Sequence, residues 1–482
     1  MQKLKKHQKI FVNRSLNMGS IRSLGFDMDH TVVLYNRVNF ENLAFHETLK
    51  KFIANGYPAE LANLKFDPNF VIRGLLVDRE RGNLLKVDAH KYVKVAFHGH
   101  LKLDKQARSE LYNNKGFKAD DFLTVDTFFA LSETQLYIEI VDYMRRNPGK
   151  INKSFNEVYK DLREWIDLSH QDGSIKTKVL MEPSKYIVRD PHLVETFVKL
   201  IDGGKKLFLL TNSDWAYTNS VMTYLLDKQH DDFPEWQDYF EYIIVSAGKP
   251  NFFTGSNPFY EVMTEQDGLL KSHRGPLVPR KVYHGGNAIL FEKLTNQKGD
   301  QILYCGDHIY GDIMRSKELF NWRTFLVVEE LEDDFKKTEK LQPQFEKIMD
   351  EIRIEEQLQS EVQTIRSEIS NQDRRQKQKN HRDAKAYEAK YLARVGELKD
   401  DLKAKEDILE TQHKLIKDLI VAREKEFHPV WGELMRTSLE KSRFGKQIES
   451  YACLYTCRIS SLRHYSCGQK MRSYRDLMPH DM

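Results

Sequence analysis

An α/β fold built around a parallel sheet is the class this chain predicts, on three observations. Residues 207–210, 242–245 and 302–305 are short, uninterrupted apolar runs, as strands buried on both faces require, and residues 21–24 form a further short stretch that would suit a buried strand. Each run ends in polar, chemistry-bearing residues, where an open α/β sheet holds its ligands. Helical periodicity fills much of the remaining chain, including a long charged stretch near the C-terminus.

In chain order, the core begins around residue 10. Strand-like runs at 71–77, 84–87 and 92–97, separated by Arg81-Gly82-Asn83 and by residues 88–91, predict an antiparallel meander beside it. Residues 89–171 then turn helical, notably over 131–145 and 155–170, and read as an inserted domain. Core elements return over 172–345. Gly203-Gly204 would end a helix over 191–201, and Gly285-Gly286-Asn287 would turn into a helix over 288–294. The predicted domains are thus 1–88 with 172–345 as the core, 89–171 as the insertion, 346–425 as a charged helical hairpin, and 426–482 as a C-terminal helical segment. In the hairpin, Leu358, Val362, Ile365 and Ile369, then Tyr391, Val395, Leu398, Leu402, Leu409, Ile416 and Leu419, give each helix a narrow apolar seam. Polar residues 371–382 are expected to be the bend between them or a frayed tip. Phe444, Ile448, Tyr451, Leu454 and Tyr455 recur at helical spacing, a face for the chain's own core or for a homo-oligomer.

With 482 residues, the chain can bury two or three domains. Its 75 basic and 71 acidic residues leave a formal charge of +4, a near balance that argues against nucleic acid as an obligatory partner. Cys305, Cys453, Cys457 and Cys467 are too few for a disulfide scaffold, and Cys453 and Cys457, in a predicted helix, read as packing residues. The basic start of the chain has no apolar region of signal-peptide length behind it, and no run approaches the roughly 18 apolar residues of a membrane span. A soluble cytoplasmic protein is expected, with no membrane partner.

The chemistry starts at Gly25-Phe26-Asp27-Met28-Asp29-His30-Thr31. Side chains at i and i+2 leave a strand on the same face, so both carboxylates can aim at one atom. One can attack phosphorus while the other gives and takes a proton. Later strands end in Thr211-Asn212-Ser213, in Ser246-Ala247-Gly248-Lys249-Pro250, and in Gly306-Asp307-His308-Ile309-Tyr310-Gly311-Asp312. A carboxylate pair, a hydroxyl with an amide, a lysine and a second carboxylate pair make an inventory for phosphoryl transfer. Taken singly, these residues have plainer roles: Thr211 and Asn212 can cap the next helix, Lys249 can be a surface residue, and Thr31 can cap local backbone. Gly306 and Gly311 are read as permitting unusual backbone angles. The pair in His98-Gly99-His100 has no third metal ligand near it in sequence.

Those four motifs, in that order, resemble the haloacid dehalogenase superfamily of phosphohydrolases. The resemblance implies a Rossmann-like core and a cap inserted between the first and second motifs; the long helical C-terminal extension is read from periodicity alone. Phe11-Val12-Asn13-Arg14-Ser15-Leu16, Arg73-Gly74-Leu75-Leu76-Val77-Asp78, Gly82-Asn83-Leu84-Leu85-Lys86-Val87-Asp88, Trp322-Arg323-Thr324-Phe325 and Leu477-Met478-Pro479-His480 narrow it to the cytosolic purine 5′-nucleotidase family, acting on IMP and GMP. The similarity covers the chain to about Glu330 and resumes weakly near Phe444.

On that resemblance, Asp27 is the nucleophile and Asp29 the acid and base. Thr211 and Asn212 donate to the phosphoryl oxygens, and Lys249 balances charge. Mg²⁺, which favours oxygen ligands, is expected on Asp27, the Asp29 backbone carbonyl and Asp307, with Asp312 behind it and His308 structural. Phe129 matches an aromatic that stacks on the purine. Arg163, Asp167, His170, Gln171 and Lys176 match the substrate segment, the first three sharing a helix face. Ala130 and Gln171 depart from the family pattern, so the choice between guanine and hypoxanthine stays open. Tyr310 matches an aromatic that binds a purine nucleoside triphosphate activator. Asp126 and the reshaped segment 115–121 depart from that site and suggest GTP over ATP. Two other readings stand beside nucleotide hydrolysis: transfer of the phosphate to a nucleoside from the same intermediate, and an idle scaffold on this fold.

Overall fold

The computed structural model describes residues 4–114, 122–266, 268–378 and 384–476. Residues 115–121, the end of the expected bend after Gln378, and Leu477-Met478-Pro479-His480 lie outside them. Within one compact unit, residues up to 333 and from 434 onward, ten strands form a single mixed sheet. Its parallel centre contains Arg323–Val327, Ile302–Gly306, Ser23–Phe26, Lys206–Leu210, Tyr242–Val245 and Val282–Gly285, in that order. Alternate residues supply two cores. Leu24, Leu207, Leu209, Ile243 and Leu303 pack on one face, and Phe208, Leu210, Ile244, Ile302 and Tyr304 on the other. Apolar burial on both faces is why residues 207–210, 242–245 and 302–305 read as continuous apolar runs. The first strand runs Ser23–Phe26, two residues later than the expected stretch 21–24. Gly25 belongs to it because a Cβ there would lie 2.2 Å from the Phe208 ring of the neighbouring strand.

The C-terminal segment differs from the helical expectation. An α-helix covers Arg443–Tyr451, and Leu454–Thr456 then forms a strand parallel to Arg323–Val327, with Phe11–Val12 antiparallel beyond it. Cys453 and Cys457 therefore flank a strand; both are buried free thiols. Tyr451, Leu454 and Tyr455 keep helical spacing in sequence, but a free sheet edge offers backbone partners that a continued helix would forgo. Phe444 packs on Gly74, where a Cβ would lie 2.5 Å from its side chain, so this face is covered within the chain.

The predicted meander exists as Leu76–Asp78, Asn83–Val87 and Val93–His98, extended by Leu101–Lys102 and Leu123–Thr124 into a five-stranded antiparallel sheet. The boundary expected at residue 88 falls inside this sheet. Helices Phe129–Arg146 and Phe155–Gln171 follow and pack on the core helix Arg37–Ala54. Ser154 and Glu157 form a capping box on the second of them. His98 and His100 do not meet on a metal: His98 Nδ1 faces Arg81 O and Asn83 Oδ1, and His100 Nε2 pairs with Glu139 at 2.8 Å.

The core helix Arg37–Ala54 buries Glu41, whose Oε2 accepts from the Ser132 N–H at 2.9 Å while Oε1 has no hydrogen-bond partner. Burial pushes this carboxyl up to about 7, against an ordinary value of 4.5. The unfolded chain thus loses the proton first, and stability falls as pH rises from 4.5 to 7. Glu41→Gln keeps the Ser132 bond without the charge. It should be neutral at pH 5 and stabilising at pH 8, by on the order of 3 kcal/mol at most. Urea unfolding at both pH values checks this, and an equal effect at the two would refute it.

The second compact unit, Asp334–Glu433, contains helices Gln342–Gln378 and Ala384–Phe427 packed against each other. Val362, Ile365, Val395, Leu398 and Ile416 are buried in their seam. Arg366–Glu406 and Arg394–Glu368 pair across it at 2.7 and 2.9 Å, on exposed flanks where such pairs add little. Among the described residues, no helix is long and apolar enough to cross a membrane.

Candidate active site

Asp27 follows directly on Ser23–Phe26, the strand at which the sheet order reverses. Lys206–Leu210, Tyr242–Val245 and Val282–Gly285 lie on one side of it, and Ile302–Gly306 and Arg323–Val327 on the other. Connections leave such a strand in opposite directions and open a crevice at its carboxyl end. The Asp27 N–H donates to Cys305 O at 2.8 Å, and Asp27 Oδ1 accepts from the Met28 N–H at 2.8 Å.

Lys249 enters the crevice from beyond Tyr242–Val245. Its Nζ stands 2.8 Å from Asp27 Oδ1, 2.7 Å from Asp312 Oδ1 and 2.9 Å from the Tyr304 hydroxyl. Asn212 holds the lysine backbone at both ends, accepting from its N–H at 2.6 Å and donating to its carbonyl at 3.0 Å. Thr211 is fully buried and its hydroxyl accepts from the Ser213 N–H at 3.0 Å. The helix Trp215–Leu226 is capped by neither residue; Asp214 does that.

Asp307 and Asp312 sit on the turn after Ile302–Gly306. Neither Gly306 nor Gly311 adopts a positive φ, so the expectation of unusual backbone angles fails. Close approach requires these glycines instead: a Cβ at 306 would lie 2.4 Å from Asp312 Oδ2, and one at 311 would lie 2.7 Å from His308 Nδ1. The turn is clamped from outside. The buried Arg73 donates to both Glu330 oxygens at 2.7 and 2.6 Å and to the Asp307 carbonyl at 2.9 Å, with its guanidinium 4.2 Å from the Phe128 ring centre. His308 Nε2 pairs with Asp126 at 3.1 Å. Tyr310 is 40% exposed and its hydroxyl accepts from Arg315 at 2.6 Å.

Carboxylate oxygens of Asp27, Asp307 and Asp312 lie within 4.8 Å of one another. Burial pushes Asp27 well up, the neighbouring carboxylates add to this, and Lys249 opposes it. Asp307 is raised by burial to about 7. Burial works against the charge of Lys249 too, but Asp27 and Asp312 outweigh it and keep the ammonium protonated. Asp307 Oδ2 is buried without a hydrogen-bond partner. Surplus buried carboxylate, including an Asp307 Oδ2 that takes no hydrogen bond and lies 3.8 Å from the Arg73 guanidinium, fits a hard divalent cation.

Asp29 is buried beside this cluster. Its Oδ1 accepts from the Tyr35 hydroxyl at 2.6 Å and its Oδ2 from the Ser213 hydroxyl at 2.9 Å. Thr31, expected to cap local backbone, has a buried hydroxyl with no partner, because the chain turns on backbone bonds from Thr31, Val32 and Val33 to Met28 O. His30 takes a left-handed φ of 54° and places its ring against Phe128, Phe129 and Tyr35, at 4.7, 4.8 and 5.0 Å.

Phe129 and His170 come together edge to face at 5.7 Å. Lys176 reaches the same neighbourhood, over the Tyr217 ring at 5.1 Å and paired with Asp214. Arg163 and Asp167 are paired at 2.6 Å, and Arg163 also binds Glu133; Gln171 is exposed. The sequence reading missed Tyr35, Ser213, Tyr304 and the clamp of Arg73 and Glu330. Ser213, next to two residues it selected, was the most accessible of these.

A model of the 5′ nucleotidase family matches residues 10–482 of this chain. A 5′-nucleotidase domain-containing protein of Dictyostelium discoideum is 26% identical over 486 residues, covering 98% of this chain and 75% of that protein. Among solved structures, an archaeal β-phosphoglucomutase from Pyrococcus sp. strain ST04 aligns at a TM-score of 0.30, with 8% identity over 64% of this chain and 87% of that one. A haloacid dehalogenase-like family hydrolase from Xanthomonas campestris gives 0.25 and 9%, over 64% and 82%.

Proposed function

This chain belongs to the 5′ nucleotidase family and is a phosphoric monoester hydrolase, and we propose that its substrates are the purine nucleoside 5′-monophosphates IMP and GMP. The observation that supports the phosphoryl chemistry is Lys249 bridging Asp27 and Asp312 at 2.8 and 2.7 Å, at the sheet's switch point with Asp29 alongside. Asp27 Oδ1 is taken by Lys249 and the Met28 N–H, which leaves Oδ2 to attack phosphorus. As that bond forms, the bond to the ribose 5′-oxygen breaks, and Asp29 gives its proton to the leaving oxygen. Asp29 then takes a proton from the water that attacks the aspartyl-phosphate, releasing phosphate and the Asp27 carboxylate. Asp27, Asp307 and the Asp29 carbonyl would hold Mg²⁺, with Asp312 fixing Lys249; bound there, the ion would offset charge on the phosphoryl oxygens.

For the base, Phe129 supplies a ring, and His170 lies beside it. Burial pushes His170 down to about 4, so its ring is neutral near pH 7 and offers one donor. A 6-oxo group accepts from such a donor, whereas the 6-amino group of adenine leaves it unpaired. The loss for AMP is on the order of 1–3 kcal/mol, roughly ten- to a hundredfold in kcat/KM. Phosphate release from GMP, IMP, AMP and CMP, with and without Mg²⁺, measures this. Equal kcat/KM for AMP and GMP would reject purine selectivity, and full activity in chelator would reject the metal.

A further inference from the structure

The two oxygens of Asp29 are held differently. Oδ1 meets the Tyr35 phenol in a fully buried contact, and the Tyr217 hydroxyl stands 3.0 Å behind that phenol. Oδ2 meets the Ser213 hydroxyl in a contact only partly buried, on the loop after Lys206–Leu210. Tyr35 lies on the short strand Leu34–Tyr35, paired antiparallel with Ile187–Val188. Phe40 and His30 hold its ring at 4.6 and 5.0 Å. A phenol so fixed presents its O–H along a set direction, whereas a serine hydroxyl rotates and can donate or accept.

We propose that Tyr35, backed by Tyr217, is a positioning residue for proton transfer: it keeps Oδ1 of Asp29 an acceptor and leaves Oδ2 to carry the mobile proton. This rests on the reading of Asp29 as acid and base. When the bond between phosphorus and the 5′-oxygen breaks, its electron pair goes to that oxygen, and the proton on Oδ2 follows. In the second step Oδ2 takes a proton from the water whose oxygen bonds to phosphorus. Ser213 can follow both changes by turning from donor to acceptor and back. Without the Tyr35 hydroxyl the proton distributes over both oxygens and the carboxyl is free to rotate, so fewer encounters are productive.

The test compares leaving groups. An alkyl 5′-oxygen needs a proton as it departs, whereas p-nitrophenolate does not, and kcat/KM reads this first step without the second. Tyr35→Phe keeps the ring and should lower kcat/KM about tenfold or more for the fastest-cleaved nucleoside 5′-monophosphate. For p-nitrophenyl phosphate the change should stay within about threefold. Equal loss on both substrates, or on neither, would overturn the proposal, since a merely structural role has no leaving-group preference. Asp29→Asn, measured alongside, separates the two levels. Selective loss there with unselective Tyr35→Phe removes Tyr35 alone; unselective loss in Asp29→Asn removes the acid–base reading and the Tyr35 role with it. Should Tyr35→Phe fail to fold, Tyr217→Phe decides: a smaller, still selective loss supports the proposal, and an unselective one overturns it.

Discussion

Asp27→Asn should yield a folded protein whose kcat falls on the order of 10⁴-fold or more. The amide is nearly the size of the carboxylate but a poor nucleophile, so no covalent intermediate can form. Lys249 keeps Asp312 and the Tyr304 hydroxyl as partners, which holds the turn that carries Asp307. The variant should unfold no earlier than wild type, because burial and three neighbouring carboxylates already push Asp27 away from its charged form. Acid-quenched wild type incubated with a labelled nucleotide should carry phosphate on Asp27, and the variant none. Near-normal turnover by the purified variant would end the covalent mechanism.

The residues gathered at the sheet's switch point were legible because of where they stand. Lys249 and Asp307 each come a few residues or immediately after an apolar run, and a strand buried on both faces advertises its end as the point where that run stops, whereas Asp27 was marked by its pairing with Asp29 two residues on. The residues that hold them were not legible, for a geometric reason. Arg73 binds Glu330 and Phe128, brought to it by the fold alone, and no local pattern marks such a contact. Tyr35 is only six residues beyond Asp29, yet in sequence it simply extends the apolar run of residues 32–34. Helix spacing correctly grouped Arg163 with Asp167 but could not say that Glu133, on the neighbouring helix, takes up the arginine as well. The strand Leu454–Thr456 failed for a related reason: its partner Arg323–Val327 lies far upstream, and helical periodicity was the only local signal.

The clamp on the turn that holds Asp307 carries the largest expected effect on stability. Arg73 has no exposed side-chain surface and stands against Glu330, the Asp307 carbonyl, and the rings of Phe128 and Phe444. Arg73→Met would keep the packing between those rings but leave the Glu330 carboxylate without its cation. Breaking a buried pair from one side costs about 3–5 kcal/mol, because the remaining charge is desolvated and unpaired. The Glu330 side chain keeps 16% exposure, so the expected loss lies near the lower figure. Arg73 holds Glu330 below its ordinary value against the effect of burial; with the arginine gone, that carboxyl should titrate higher. The variant's deficit should therefore shrink as pH falls and Glu330 protonates. Adding Glu330→Gln removes the stranded charge and should recover most of the stability. Activity should stay low in the double variant, since the Asp307 carbonyl has still lost its donor and the turn its anchor. Urea unfolding and nucleotide hydrolysis on the two variants measure both halves. A single-variant loss below about 1 kcal/mol, or full activity in the double variant, would show that the turn is held by something other than Arg73.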